Sequence, residues 1–168
     1  MKKTTKTLAF AIIILIATIT ANAKEKIGVF DSRAVAIWNF NTDEFRKEMK
    51  EVTTKYEEAK KKKDTAEMKR IETRMPLMQR VLHDKGFGRG SVAEILEKNQ
   101  AKLKTLAKSE KLIAIVSKWE LLFSEENYEV VDITVSLLKA LGANDNTIKM
   151  YDEMKKQEPI KDAFYIED

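Results

Sequence analysis

Two heptad-like stripes organise the polar and apolar positions in the first half of this chain. Phe45, Met49, Val52, Tyr56 and Ala59 recur at spacings of 4, 3, 4 and 3, and Met68, Ile71, Met75, Met78 and Leu82 at 3, 4, 3 and 4. Each stripe predicts an amphipathic helix, because residues three and four apart share a helix face. Thr42, Asp43 and Glu44 look like the start of the first helix, with acidic groups in its opening turn. The stripes fall out of phase across residues 60–64. That break predicts either a stutter in one long helix or a turn, with Asp64 as N-cap and Glu67 completing a capping box. Pro76 is expected to kink or restart the second helix, and Gly86 to end it. After Gly86, Gly88 and Gly90, Ser91 is placed to cap a new helix with Glu94 in the box position. Its stripe of Val92, Ile95, Leu96, Leu103 and Leu106 carries it to about Lys108.

Outside this helical stretch the pattern changes. Residues 26–30 (K-I-G-V-F) and 112–116 (L-I-A-I-V) are short β-rich apolar runs, while 34–40 fits a short helix or a turn. Trp119, Leu121 and Phe123 alternate with polar Glu120, interrupted by Leu122, and predict another strand beside the second run. Residues 130–141 predict an amphipathic helix stopped by Gly142, 146–157 a further short helix, and Pro159 onward a tail. The fold class expected is α+β, a small β-sheet body whose distant strands pair at the base of a long helical arm. If the outgoing helix ran unbroken from 42 to 85 it would span about 65 Å, against about 27 Å for the helix returning from Ser91. A bundle of three similar helices, turning at 60–64 and again at 86–90, fits the pattern equally, so the arm topology stays open.

The N-terminus has a different character. Lys2, Lys3 and Lys6 precede an apolar run of about twelve residues, shorter than the roughly twenty needed to cross a bilayer, and Ala21-Asn22-Ala23 forms an A-x-A cleavage site. Residues 1–23 are expected to be a signal peptide cleaved after Ala23, making the working protein an exported, periplasmic domain beginning at Lys24. Removing the leader lowers the net charge from +4 to +1, with 28 basic against 27 acidic residues, so the high isoelectric point is no nucleic-acid signal. Charge is nonetheless lopsided: residues 42–110 carry 18 basic and 13 acidic side chains, residues 111–168 carry 7 and 12. The basic middle suits anionic partners. With no cysteine, an exported fold must be held by packing or oligomerisation. The expected divisions are 1–23 leader, 24–41 first strand of the body, 42–110 helical arm, 111–142 strands and helix completing the body, and 143–168 a C-terminal extension.

Few residues suggest chemistry. Gly86, Gly88, Gly90 and Ser91 before a helix could cradle a phosphate, but there is no phosphate-loop lysine and no preceding strand, so a turn is the simpler reading. His83, the single histidine, sits beside Asp84 at a helix end, where a solvated role is expected. Asp132 or Thr134 is placed to cap the last body helix, and Trp38 and Trp119 to fill the core or a subunit contact. No nucleophile–base set or metal-ligand spacing stands out, so no enzyme activity, cofactor or metal is expected.

The runs K-I-G-V-F-D-S-R-A-V (26–35) and L-I-A-I-V-S-K-W-E-L-L-F-S-E-E-N-Y-E-V-V-D-I-T-V-S-L-L-K-A-L (112–141), above all V-D-I-T-V-S-L-L-K-A-L, resemble the Skp/OmpH family of periplasmic chaperones. The resemblance covers about 40 residues of the body together with the charged helical middle. It implies a homotrimer whose strands form a small body with arms around a cavity, holding unfolded outer-membrane proteins and preventing their aggregation. Such clients expose apolar strand faces and open edges that self-associate. On this reading Lys60, Lys61, Lys62, Lys63, Arg70, Arg74 and Arg80 capture clients, and an anionic lipid surface, electrostatically, while Met75 and Met78 supply adaptable apolar contact. Nucleic acid is not an expected partner. The alternatives are a non-catalytic envelope interaction or scaffold protein that keeps the body, and a secreted enzyme or small-ligand binder using the Gly86, Gly88, Gly90 loop.

Overall fold

The computed structural model describes residues 24–159. The expected leader, 1–23, and its cleavage site lie outside the described residues, as does 160–168. The chain is a mixed α+β protein with seven helices and one three-stranded parallel sheet among the described residues. Strand β1 (Glu25–Phe30) lies between β2 (Leu112–Ser117) and β3 (Tyr128–Asp132). The sequence separation of β1 and β2 is what allows them to run parallel, since parallel neighbours need a long crossover and here the whole helical stretch supplies it. Ile27 stands opposite Ala114 and Val130, and Val29 opposite Val116 and Asp132.

The strand expected at Trp119, Leu121 and Phe123 is not formed. Ser117 turns the chain instead: its carbonyl accepts the N–H groups of Glu120 (3.0 Å) and Leu121 (3.2 Å). The third strand comes later, and takes Val130, Val131 and Asp132 from the expected helix, which begins only at Thr134. Pairing with β1 outweighs helical periodicity over those three residues, because they gain a ladder partner on an edge that would otherwise stay open.

Helix α1 (Ser32–Phe40) follows β1 directly, capped by Asp31, whose carboxylate accepts the Arg33 N–H. Then comes a helical hairpin, α2 (Asp43–Lys62) and α3 (Thr65–Gly86), which are about 30 and 33 Å long at 1.5 Å per residue. Thr42 caps α2 and Asp64 caps α3, each accepting the N–H three residues on. The out-of-phase break is therefore a real turn. Glu67 does not close the box as expected; its carboxylate holds Arg70 instead. Pro76 neither breaks nor restarts α3, which packs on α2 along one stretch and on α1 near its end. Tertiary contact on both sides of Pro76 holds a helix that the missing N–H alone would weaken.

The return does not run along the arm. A short helix α4 (Ala93–Glu97) and α5 (Gln100–Glu110) replace the single expected helix, and Val92, Ile95 and Leu106 enter the body core with Phe30, Val35, Ile133 and Leu137. Residues 93–110 thus belong to the body rather than to the arm. Helix α6 (Thr134–Leu141) is the centre of that core, with Leu137 and Leu138 fully buried. Helix α7 (Asp145–Met154) docks through Tyr151 against Ala34 and Leu138, so the first part of the expected extension completes the body as well.

The helices cover one sheet face, where Ile115 and Val131 meet the core. On the other, Val130 remains 43 % exposed beside Ile27 and Ala114, and Ile113 is also exposed. No helix among the described residues is long and apolar enough to cross a membrane.

Two lysines, Lys63 and Lys111, end helices in the left-handed region at φ 56° and 57°. Glycine adopts this conformation without the steric penalty a Cβ brings. Lys111→Gly is expected to raise stability by about 0.5–1 kcal/mol in urea unfolding, since it relieves roughly 1–2 kcal/mol of left-handed strain against an entropic cost for glycine of about 0.5–1 kcal/mol; an unchanged or lower midpoint would contradict the assignment.

Candidate functional site

The hairpin has little core of its own. In α2 only Ala59 is buried, and in α3 only Ile71 and, near the root, Lys85. Val52 of the first stripe meets Ile71, Met75 and Met78 of the second around one recess, and the Tyr56 hydroxyl donates to Glu72 across the pair (2.8 Å). Yet the apolar residues leave large areas open: Met75 is 45 %, Val81 51 % and Leu77 63 % exposed. An amphipathic pair this poorly covered presents a surface suited to a partner.

Arg70, Arg74, Met75 and Met78 are brought together. With Val52, Lys55 and Ile71 they line a recess of about 220 Å³ on the hairpin. Arg70 is held there by Glu67, through Nε–Oε2 and Nη2–Oε1 contacts of 2.6 Å each. The hydrogen bond from Arg70 in turn holds the Glu67 carboxyl below its ordinary range. Lys60, Lys61, Lys62 and Lys63 sit apart from the recess, exposed at the hairpin tip. Their position also has a local cause, since cations oppose the negative end of the α2 dipole. Arg80 is exposed on α3 and lines neither this recess nor the larger cleft described next.

That cleft, about 1,090 Å³, lies at the root of the hairpin, with Phe45, Met49, Leu77 and Val81 from the arm facing Lys98 and Asn144 of the body. Lys85, buried here, pairs with Glu94, and that bond lowers the Glu94 carboxyl from its ordinary range. Leu77, Val81, Val52 and Lys55 were not among the residues expected to act. The Leu77/Val81 pair at i,i+4 was visible in the sequence, but it lies off the stripe that Met75 and Met78 define.

The glycine loop is a helix terminus. The N–H groups of Phe87, Gly88, Arg89 and Gly90 all donate to carbonyls of His83, Asp84 and Lys85, so they close α3 rather than face a phosphate. Gly88 has φ 78°, and a Cβ on Gly90 would lie 2.7 Å from the Lys85 nitrogen, so the turn requires both. Ser91 accepts the Ala93 N–H but does not cap α4, and Glu94 is drawn to Lys85. His83 is exposed and tilts against Phe87, with ring centroids 5.9 Å apart.

The densest polar cluster lies at the C-terminal end of the sheet. Asp31, fully buried, accepts from Arg33 Nε (3.0 Å) and Nη2 (2.8 Å), from Trp119 Nε1 (3.2 Å) and from Lys118 Nζ (3.0 Å). Arg33 and Lys118 also stack on the Trp119 ring, at 5.0 and 4.5 Å from its centroid. The Asp31 N–H donates to the Thr134 hydroxyl, which donates to Asp132; Asp132 also accepts the Thr134 N–H at the start of α6. Burial pushes the Asp31 carboxyl up, but hydrogen bonds from Arg33 and Lys118 outweigh it and hold the group below its ordinary range. Among the described residues no buried side-chain nitrogen or oxygen lacks a partner. With its bonding capacity used within the fold, this cluster ties β1, α1, α6 and the post-β2 turn together; it does not present a reactive group. No group of His, Asp and Glu among the described residues is arranged to hold a metal ion.

Among the described residues, exposed apolar side chains lie on the hairpin, on the open sheet face at Ile113 and Val130, and at Leu122 and Phe123 after β2. No protein-family model, curated protein or solved structure matches this chain.

Proposed function

We propose that this chain is a periplasmic holdase-type chaperone that binds unfolded outer-membrane proteins and prevents their aggregation, working as a homotrimer. The observation that supports it is a basic helical hairpin, with 13 basic and 10 acidic residues over 43–86, on which Met75, Leu77 and Val81 of α3 remain exposed. Unfolded β-barrel chains offer what such a surface accepts: apolar faces for Met75, Leu77 and Val81, and acidic loops for the lysine tip. Multiple weak contacts of this kind retain a client without locking it. The trimer is supported by the sheet. Parallel strands are ordinarily covered on both faces, and here Val130 and Ile113 remain exposed.

The chain from Lys24 is expected to suppress aggregation of a urea-diluted outer-membrane β-barrel at near-stoichiometric trimer ratios, with suppression fading as salt is added. Sedimentation should give a three-chain mass. Absence of suppression at any ratio from a folded sample would overturn the proposal, leaving an envelope scaffold protein as the reading to pursue.

A further inference from the structure

The cleft at the root of the hairpin has unlike walls. Its α3 wall is apolar, with Leu77 and Val81 both more than half exposed, while the wall formed by the body carries Lys98, Asn99, Lys102 and Asn144. Leu77 and Val81 stand about 6 Å apart along the helix. That is close to the spacing of about 6.6 Å between alternate residues on one side of an extended chain.

The polar groups of the cleft are only partly used. Asp43 pairs with Arg46, and Glu94 with Lys85. Among the described residues no ion pair joins Lys102 to a carboxylate, or Glu44 or Glu48 to a cation. Charges of opposite sign, on α5 and on α2, therefore border the same space and can each be answered by an occupant. Asn99 donates to the Ile95 carbonyl, and the Asn144 side-chain oxygen accepts from Thr147. The Asn99 side-chain oxygen and the Asn144 side-chain N–H groups then have no bond within the chain among the described residues. A helical occupant, its backbone paired internally, would not use them; an extended one offers free N–H and C=O groups along its length.

We propose that this cleft holds an extended segment in which apolar and charged side chains alternate, the apolar ones against Leu77 and Val81, the charged ones toward Lys102 and the Glu44 and Glu48 pair. The proposal rests on the holdase reading for its client and names the form in which that client is held, since the strands of a membrane β-barrel alternate apolar and polar residues. Selection is then by order of residues rather than by composition.

The test compares two fluorescent peptides of the same composition, V-K-V-E-V-K-V-E-V and K-E-V-V-V-V-V-K-E, by anisotropy with the chain from Lys24. The alternating peptide is expected to bind about tenfold more tightly, because the block cannot keep its charges off the apolar wall and its valines on it at once. Leu77→Ser/Val81→Ser, which replaces two exposed side chains, should remove most of that difference. Should this variant lose its far-UV circular dichroism, Glu44→Gln/Glu48→Gln supplies the second reading, with affinity for the alternating peptide about threefold lower at low salt and the difference from wild type closing as salt is added. Equal binding of the two peptides would overturn the proposal, as would affinity indifferent to the variants, or tighter binding of an amphipathic helical peptide. Discrimination by order from a chain that does not suppress barrel aggregation would leave the cleft's preference standing and drop the holdase reading alone. Suppression without discrimination would do the reverse.

Discussion

Asp31→Ala is expected to destabilise the protein by about 3–5 kcal/mol, because it leaves Arg33 charged and buried without its partner. Arg33 is 4 % exposed, and its remaining polar contact would be the Gln157 carbonyl. Lys118 Nζ, the Trp119 indole N–H and the Arg33 N–H at the start of α1 lose their acceptor in the same step. Asp31→Asn, which keeps an N-cap acceptor, is expected to lose less. Urea unfolding monitored by far-UV circular dichroism measures both; a loss below about 1 kcal/mol for the alanine variant would show the cluster to be no stronger than an exposed ion pair.

The same cluster sets a pH dependence. Asp31 is depressed below its ordinary value of 3.8, so the unfolded chain binds the proton more readily than the folded one. The stabilisation is therefore fully present above the unfolded value and is lost as pH falls through the folded one. Wild-type stability should drop below about pH 4, and the Asp31→Asn variant should show a shallower drop over that window. Equal acid slopes would place the titration elsewhere.

Replacing Lys60, Lys61, Lys62 and Lys63 together with glutamate is expected to weaken client capture about tenfold or more at low salt, four exposed charges being reversed at a few tenths of a kcal/mol or more each. The difference from wild type should shrink as ionic strength rises, since exposed charges are screened beyond roughly 10 Å at 0.1 M. The tip stands well away from the body core, so global unfolding should change little. The last turn of α2 will loosen, because three of the lysines oppose its dipole. A glutamine series separates loss of attraction from repulsion. Capture by the glutamate variant equal to wild type would move the binding energy onto the exposed apolar residues Met75, Leu77 and Val81 of α3. That outcome would leave the lysines as helix-end residues only.

The local chemistry of the chain determined much of this molecule. The stripes from Phe45 to Ala59 and from Met68 to Leu82 specify two amphipathic helices, because side chains three and four apart must share a face. Thr42 and Asp64 start those helices through hydroxyl and carboxylate acceptors within three residues; Gly88, at positive φ, and Gly90, where a Cβ would meet the Lys85 backbone, end the second. The apolar runs at 26–30 and 112–116 become neighbouring strands, as their composition requires. Arg70, Arg74 and Met78, four apart, and Met75, three before Met78, share one helix face, but on sequence alone they were grouped with Lys60, Lys61, Lys62, Lys63 and Arg80, which lie apart from their recess. The rest was decided at longer range. The third strand formed at 128–132 rather than around Trp119, because the open edge of β1 took one segment while Asp31 drew the indole away. The helix through Pro76 survived on contacts with α1 and α2. Val92, Ile95 and Leu106 joined the body once a hydrophobic surface around Leu137 existed to receive them. Nothing in the sequence assigned Asp31 and Arg33 a role of their own; their burial depends on Lys118, Trp119 and Thr134, more than 80 residues away. A charge can be kept out of water only where the whole fold supplies its partners, and that is information no stretch of chain carries by itself.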